Sequence, residues 1–174
     1  MRAVVQRVTA ASVTVDGVCV GSIEAGVVAL IGLRSGDSEA AGERLLHRLA
    51  TLRLWPSAAD GRPWAESLTS LGTHRLLLVS QFTLHASAAK AKPSFHAALA
   101  TEPARAAFEH FVSAARGRLG ADRVATGVFG AMMSVALVND GPVTLILDTD
   151  DLSGGALIGS GVGDAEADGS VEAD

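Results

Sequence analysis

The 174 residues include a single cysteine, Cys19, and no tyrosine. One thiol excludes a disulfide within the chain and any metal site built from several cysteines. Aromatic residues make up only 4% of the sequence. No apolar run approaches the roughly eighteen residues of a membrane span, and no membrane partner is expected. Met1 to Val8 alternates too early into Thr and Ser to read as a signal peptide. The chain has no phosphate loop of the Walker type, no Gly-x-Gly-x-x-Gly opening a helix and no Gly-x-Ser-x-Gly elbow. His47, His74, His85, His96 and His110 show no metal-ligand spacing. The expectation is a cytoplasmic protein without metal or cofactor.

Basic charge is also scarce, because the formal net charge is −5. Its distribution says more than its sum. Eight of the acidic residues fall from Asp148 onward, where Lys and Arg are absent; setting them aside leaves +3 on the first 147 residues. That body can meet a few phosphates, but its charge alone does not point to RNA.

The sequence is 48% hydrophobic, enough for one domain with one good core. Val4, Gln6, Val8, Val13 and Val15 alternate as a strand, and Asp16-Gly17 signals a hairpin turn. Val18 to Ile23 returns, and Val27 to Leu33 reads as a buried strand. Asp37 or Ser38 caps a helix with apolar positions Ala41, Leu45, Leu46 and Leu49, running to about Thr51. Leu52 to Trp55 predicts another strand, 56 to 73 a surface loop, and Arg75 to Leu84 a central strand. A second helix starts near Thr101, with Pro103 in its first turn and Phe108, Phe111, Val112, Ala115 and Leu119 on its buried face. Two last strands, Met132 to Val138 and Val143 to Leu147, are joined by Asn139-Asp140-Gly141-Pro142. The pattern predicts an α/β fold: one strand-dominated domain over 1–150, its curved, barrel-like sheet carrying two main helices. Residues 151–174, rich in Gly, Ala, Ser and acid, read as a flexible acidic tail.

Two segments carry polar groups where chemistry could use them. Ser80-Gln81-Phe82-Thr83-Leu84 closes an apolar strand, where a rigid sheet can aim backbone N–H groups at a developing oxyanion. By pattern alone the favoured reading is a strand end whose Ser and Thr simply satisfy the edge of the ladder. Asn139-Asp140-Gly141-Pro142-Val143-Thr144 reads by itself as a tight turn between strands. A cis bond before Pro142 has a base frequency of only about 5–6%. His85 and His96 flank a polar loop, a common place for incidental histidines.

Together these segments resemble the two motifs of the D-aminoacyl-tRNA deacylases. The resemblance extends to Gln6-Arg7-Val8 with Ala11-Ser12-Val13, to Lys92-Pro93-Ser94-Phe95, and to Phe129-Gly130-Ala131 with Met133. It spans roughly residues 1 to 147 in order. The chain departs from it at Gly61-Arg62-Pro63-Trp64, where the family usually has a Gly-Lys-Met-Asn-like stretch, and in the acidic tail.

The resemblance implies hydrolysis of the ester joining a D-amino acid to the 3′-terminal adenosine of tRNA, by a homodimer. Gly141 and Pro142 are implied to be a Gly-cis-Pro element that enters the partner's pocket and sterically rejects L-amino acids, so that glycyl-tRNA is accepted. The backbone N–H groups of Phe82 and Thr83 are implied to hold the oxyanion. The attack comes either from the Thr83 hydroxyl as nucleophile or from a water activated by the 2′-hydroxyl of the terminal adenosine. The second scheme is preferred because no base is fixed near Thr83 by sequence. Ser80, Gln81 and Met133 are expected to build the substrate pocket. Lys90, Lys92 and Arg62 are candidates for phosphate contacts.

Overall fold

The computed structural model describes residues 1–152. The expectation of a flexible tail therefore falls on residues outside the described ones, apart from 151 and 152. These two belong to a short helix that crosses the expected domain boundary.

Strand β1 (Arg2–Val15) is the spine of a six-stranded mixed sheet. Asp16 (φ 48°) and Gly17 (φ 80°) turn it back into β2 (Val18–Ile23), as the Asp-Gly signal predicted. β3 (Gly26–Gly32) pairs antiparallel with the first half of β1. β4 (Arg75–Ser80) runs parallel to β3, and β5 (Val124–Thr126) parallel to β4. Parallel neighbours need long crossovers. Helices α1 (Glu39–Thr51) and α3 (Thr101–Leu119) supply them.

Ser38 caps α1 by accepting from the Ala41 N–H. Asp37 instead holds the N-terminal ammonium and the Arg34 N–H. Leu45, Leu46 and Leu49 of α1 and Phe108, Phe111 and Ala115 of α3 pack with Ala3, Val5, Ile31, Leu76 and Leu78 on one face of the sheet. On the other face the sheet curls around Val8, Ala11, Val13, Ile23, Val28, Leu77 and Val79. At Thr9 the pairing of β1 with β6 slips, so Val8 and then Ala11 and Val13 all reach this second core. The curl nearly closes. A Cβ on Gly21 of β2 would sit closer than 3.0 Å to the Thr126 carbonyl of β5.

Four local expectations are corrected. Leu52 to Trp55 forms no strand; only Trp55 bridges Glu66, and the Leu54 carbonyl is taken by the Arg7 guanidinium. The 56–73 loop contains a one-turn helix, α2 (Leu68–Leu71), held by a Ser67–Ser70 capping box that a polar composition concealed. β4 stops at Ser80, because Phe82–His85 turn into a 3₁₀ helix. β5 is too short to show a period and was absent from the sequence pattern.

The largest correction concerns the last two strands. They are one strand, β6 (Ser134–Asp148), lying along β1 over its whole length. Asn139 faces Val8 and Thr144 faces Gln6, so residues 140–143 bulge out opposite Arg7. Asp140-Gly141-Pro142-Val143 is therefore an outward loop within one strand and not a hairpin. After β6 the chain ends its described part in α4 (Thr149–Leu152).

Candidate active site

The first motif lies where β4 runs out. Ser80 is half-buried, and the Gln81 N–H makes the last sheet bond, donating to the Ile31 carbonyl at 2.8 Å. The chain then tightens: Leu84 N–H donates to Gln81 O (3.3 Å) and Ala86 N–H to Thr83 O (3.0 Å). Phe82 and Thr83 open this turn, so their two N–H groups have no acceptor within it. Two adjacent backbone donors are thus fixed at the end of a buried strand. Gln81 Nε2 donates to Thr83 Oγ1 at 2.6 Å, which orients the hydroxyl.

Three contacts hold the turn in place. His85 is buried with Nε2 3.2 Å from the Gly32 carbonyl. Burial, the largest influence, pushes its pKa down, so the neutral ring donates this bond. Arg2 Nη1 donates to Leu84 O at 3.0 Å, while its Nε and Nη2 grip Asp148 at 3.0 and 2.9 Å. Gly32 permits the close packing, because a Cβ there would meet the Leu84 Cβ at 2.9 Å. His85 is thus a structural residue.

Phe82 is 56% exposed and meets Phe95 edge to face, ring centroids 5.0 Å apart. Ser87 and Ser94 exchange two backbone bonds (2.8 and 2.9 Å) that close the loop between these rings. Lys90 and Lys92 are exposed on that loop. Arg62 is exposed and engaged by Asp60 at 2.6 Å. His96 is exposed and pairs with Ser94 Oγ at 2.9 Å.

The second motif surrounds a cis Gly141-Pro142 bond, and both residues are exposed. Gly141 has φ 112°, a conformation that favours glycine. Asn139 ties the loop: its Nδ2 donates to Arg7 O (2.8 Å) and Val143 O (3.0 Å), and its Oδ1 accepts from Thr144 Oγ1 (3.0 Å) and Gln6 Nε2 (3.4 Å). Arg7 Nε lies 2.9 Å from Asp140 Oδ2 but misses hydrogen-bond alignment, so their attraction is mainly coulombic. Arg7 was not singled out from the sequence as a site residue. A charge set in an apolar strand was the available signal.

The two motifs do not meet within one chain. Ser80 shares a cross-sheet row with Ile31, Ala3 and Leu147, whereas the loop stands opposite Arg7, in the row of Val27 and Leu76. Four residues along the strand and three strands across separate them by roughly 20 Å along the sheet. Met133 belongs to neither: it packs on the inner core, and its sulfur covers Gly127. An apolar cavity of about 270 Å³ between α1 and α3, lined in part by Leu46, Leu99 and Phe111, contains no motif residue. Among the described residues no three His, Cys, Asp or Glu side chains converge as a metal site. None of the described helices is long and apolar enough to cross a membrane.

The chain is similar to known proteins over its whole described body. Residues 4–148 match the family described as D-Tyr-tRNA(Tyr) deacylase. Proteins named D-aminoacyl-tRNA deacylase include one from Thermomicrobium roseum, 48% identical over 90% of this chain and 99% of its own length. One from an Azoarcus species is 49% identical over 84% and 95%. One from Schizosaccharomyces pombe is 41% identical over 87% and 100%. A solved structure described as c-Myc DNA Unwinding Element Binding Protein is 37% identical with TM-score 0.81, covering 85% of this chain and 98% of its own. A probable eukaryotic D-amino acid tRNA deacylase, 21% identical with TM-score 0.74 over 84% and 98%, shares the fold.

Proposed function

The chain belongs to the D-aminoacyl-tRNA deacylase family, a family of hydrolases, and from that premise we propose how its two motifs divide the reaction between two copies of the chain. The observation that carries the reading is their separation. The N–H pair at Phe82 and Thr83 and the Gly141-Pro142 loop are too far apart along the sheet to line one pocket in one chain. A homodimer that sets the loop of one copy over the N–H pair of the other completes the site.

The substrate is an activated ester, so modest acceleration suffices and selectivity is the harder task. The N–H groups of Phe82 and Thr83 hold the oxyanion as water attacks the carbonyl carbon. A preorganised donor of this kind is worth about a hundredfold or more in rate. The Thr83 hydroxyl already accepts from Gln81, and among the described residues no basic group is hydrogen-bonded to it, which supports the 2′-hydroxyl of the terminal adenosine as the group that activates water. Collapse of the tetrahedral intermediate expels the 3′-oxygen of tRNA.

Gly141 and Pro142 supply discrimination. Their exposed, tied loop fills the space where an L side chain would project from the α-carbon. Its carbonyl oxygens accept from the substrate ammonium. Glycine presents no side chain, so glycyl-tRNA is cleaved as well.

Phe82 with Phe95 gives the terminal adenine an aromatic wall, and Lys90 and Lys92 stand ready for phosphates of the 3′ strand. Ser80 and Gln81 support the pocket, and Met133 contacts the base only if the inner core opens towards it. The enzyme acts in the cytoplasm, where aminoacyl-tRNA is used.

One observation favours a second reading, nucleic-acid binding without hydrolysis: the similar structure described as a DNA-element-binding protein. Deacylation of D-tyrosyl-, L-tyrosyl- and glycyl-tRNA side by side, with EDTA present, separates the two. Cleavage of the D and glycyl esters with the L ester intact is expected. Survival of all three esters would leave the binding reading, and cleavage of the L ester would remove the steric role of Gly141-Pro142.

A further inference from the structure

The helix layer carries a second charged feature that the reaction does not use. Between α1 and the end of α3 lies a groove of about 380 Å³ lined by Glu43, Arg44, His47, Arg48, Arg118 and Leu152. Arg118 reaches Glu43 at 3.5 Å and His47 Nδ1 at 3.2 Å. Among the described residues no carboxylate lies within ion-pair distance of Arg44 or Arg48. These two are one helical turn apart, a like-charge pair that mildly destabilises the helix unless an anion relieves it. Three guanidiniums with one carboxylate make a groove for an acidic ligand.

The chain itself holds such a ligand, tethered at the rim. Leu152, the last described residue, is part of the groove wall. Twenty-two residues follow without Lys, Arg or His, and their five carboxylates fall in the last eleven: Asp164, Glu166, Asp168, Glu172 and Asp174. The intervening residues 153–163 reach at most about 36–40 Å. α1 is only about 20 Å long, so every guanidinium of the groove is within range. Tethering at the rim gives an effective concentration on the order of millimolar, an advantage a free polyanion lacks.

We propose that the acidic segment 164–174 docks in this groove of its own chain, its carboxylates on Arg44, Arg48 and Arg118. The docked segment covers the basic helix face. Nothing in this proposal depends on the reaction assigned to the other end of the molecule.

The test uses the full chain with Cys19→Ser and Ala167→Cys, a nitroxide on the new thiol, and ¹⁵N labelling. At about 0.02 M salt, where screening is weak, the amides of residues 44–48 and 118 are expected to lose most of their intensity. They should recover it at about 0.5 M salt and in the Arg44→Glu, Arg48→Glu chain. Uniform broadening, no broadening, or broadening that survives the charge reversal would each overturn the proposal. So would transfer of the effect to a nitroxide-free labelled chain mixed with unlabelled nitroxide-bearing chains, which would assign the groove to a second copy's tail. A short RNA that shifts the groove amides while the tail leaves them unbroadened would assign it to nucleic acid.

Discussion

The side-chain amide of Asn139 donates to the carbonyl of Val143 at 3.0 Å, closing the base of the loop that presents Gly141 and Pro142. A second bond from the same amide to Arg7 O fastens that base to β1. The loop is held by a side chain at its foot, and its tip, Gly141 and Pro142, is exposed.

Asn139→Ala removes both bonds, together with the two that its Oδ1 accepts from Thr144 and Gln6, and leaves two carbonyls short of a donor. At about 0.5–1.5 kcal/mol for each of the two carbonyl bonds, urea unfolding should show a loss of at least roughly 1–3 kcal/mol. A loosened loop should also lower the ratio of D- to L-tyrosyl-tRNA cleavage. Unchanged stability together with unchanged selectivity would show that Asn139 does not hold the loop.

Thr83→Ala keeps the backbone N–H and removes only the hydroxyl that accepts from Gln81. A neutral hydrogen bond is worth about 1 kcal/mol net, so kcat should fall by about tenfold or less. A loss beyond a thousandfold in a correctly folded protein would make the hydroxyl the nucleophile.

Lys90→Ala with Lys92→Ala should raise KM for D-aminoacyl-tRNA and flatten its dependence on salt. A minimal D-aminoacyl-adenosine, which lacks those phosphates, should be cleaved as before. Equal effects on both substrates would place the two lysines outside phosphate recognition.

His85 should make stability sensitive to mild acid. Burial holds its folded pKa below the unfolded value of about 6.5. The unfolded chain therefore binds more protons in the window beneath that value, and stability rises with pH there. Its contribution is complete above about pH 6.5 and is lost as the pH falls from there toward the depressed folded value. His74, also lowered by burial and by Arg123, adds in the same direction. His85→Gln should reduce the slope of unfolding free energy in the window just below about pH 6.5. An unaltered slope would mean that His85 is already accessible in the folded state.

Gly21→Ala puts a methyl against the Thr126 carbonyl where β2 meets β5. Overpacking of this kind costs about 1–3 kcal/mol. A thermal midpoint unchanged from the parent would show that the barrel seam is looser than its backbone spacing suggests.

Much was legible in the sequence because it is local. Asp16-Gly17, the Ser38 cap and the apolar faces of α1 and α3 each follow from a few neighbouring residues and their own backbone preferences. The motifs around Phe82-Thr83 and Gly141-Pro142 were legible for a different reason: their residues stand in the order and at the spacing of a known family. Only the tertiary structure decided how they are presented. Gly-Pro between two apolar runs has the local pattern of a hairpin, and what makes it an outward loop is β1, continuing past it as the partner of both runs. Phe82 and Thr83 look like strand until the Gly32 surface and the buried His85 pull the chain into a tight turn and free two N–H groups. Leu52 to Trp55 has strand chemistry but keeps only a bridge from Trp55 to Glu66, while the Leu54 carbonyl is taken by the Arg7 guanidinium, 47 residues earlier in the chain. Local preference sets which conformations a segment can take; a distant neighbour's hydrogen bonds and packing select among them.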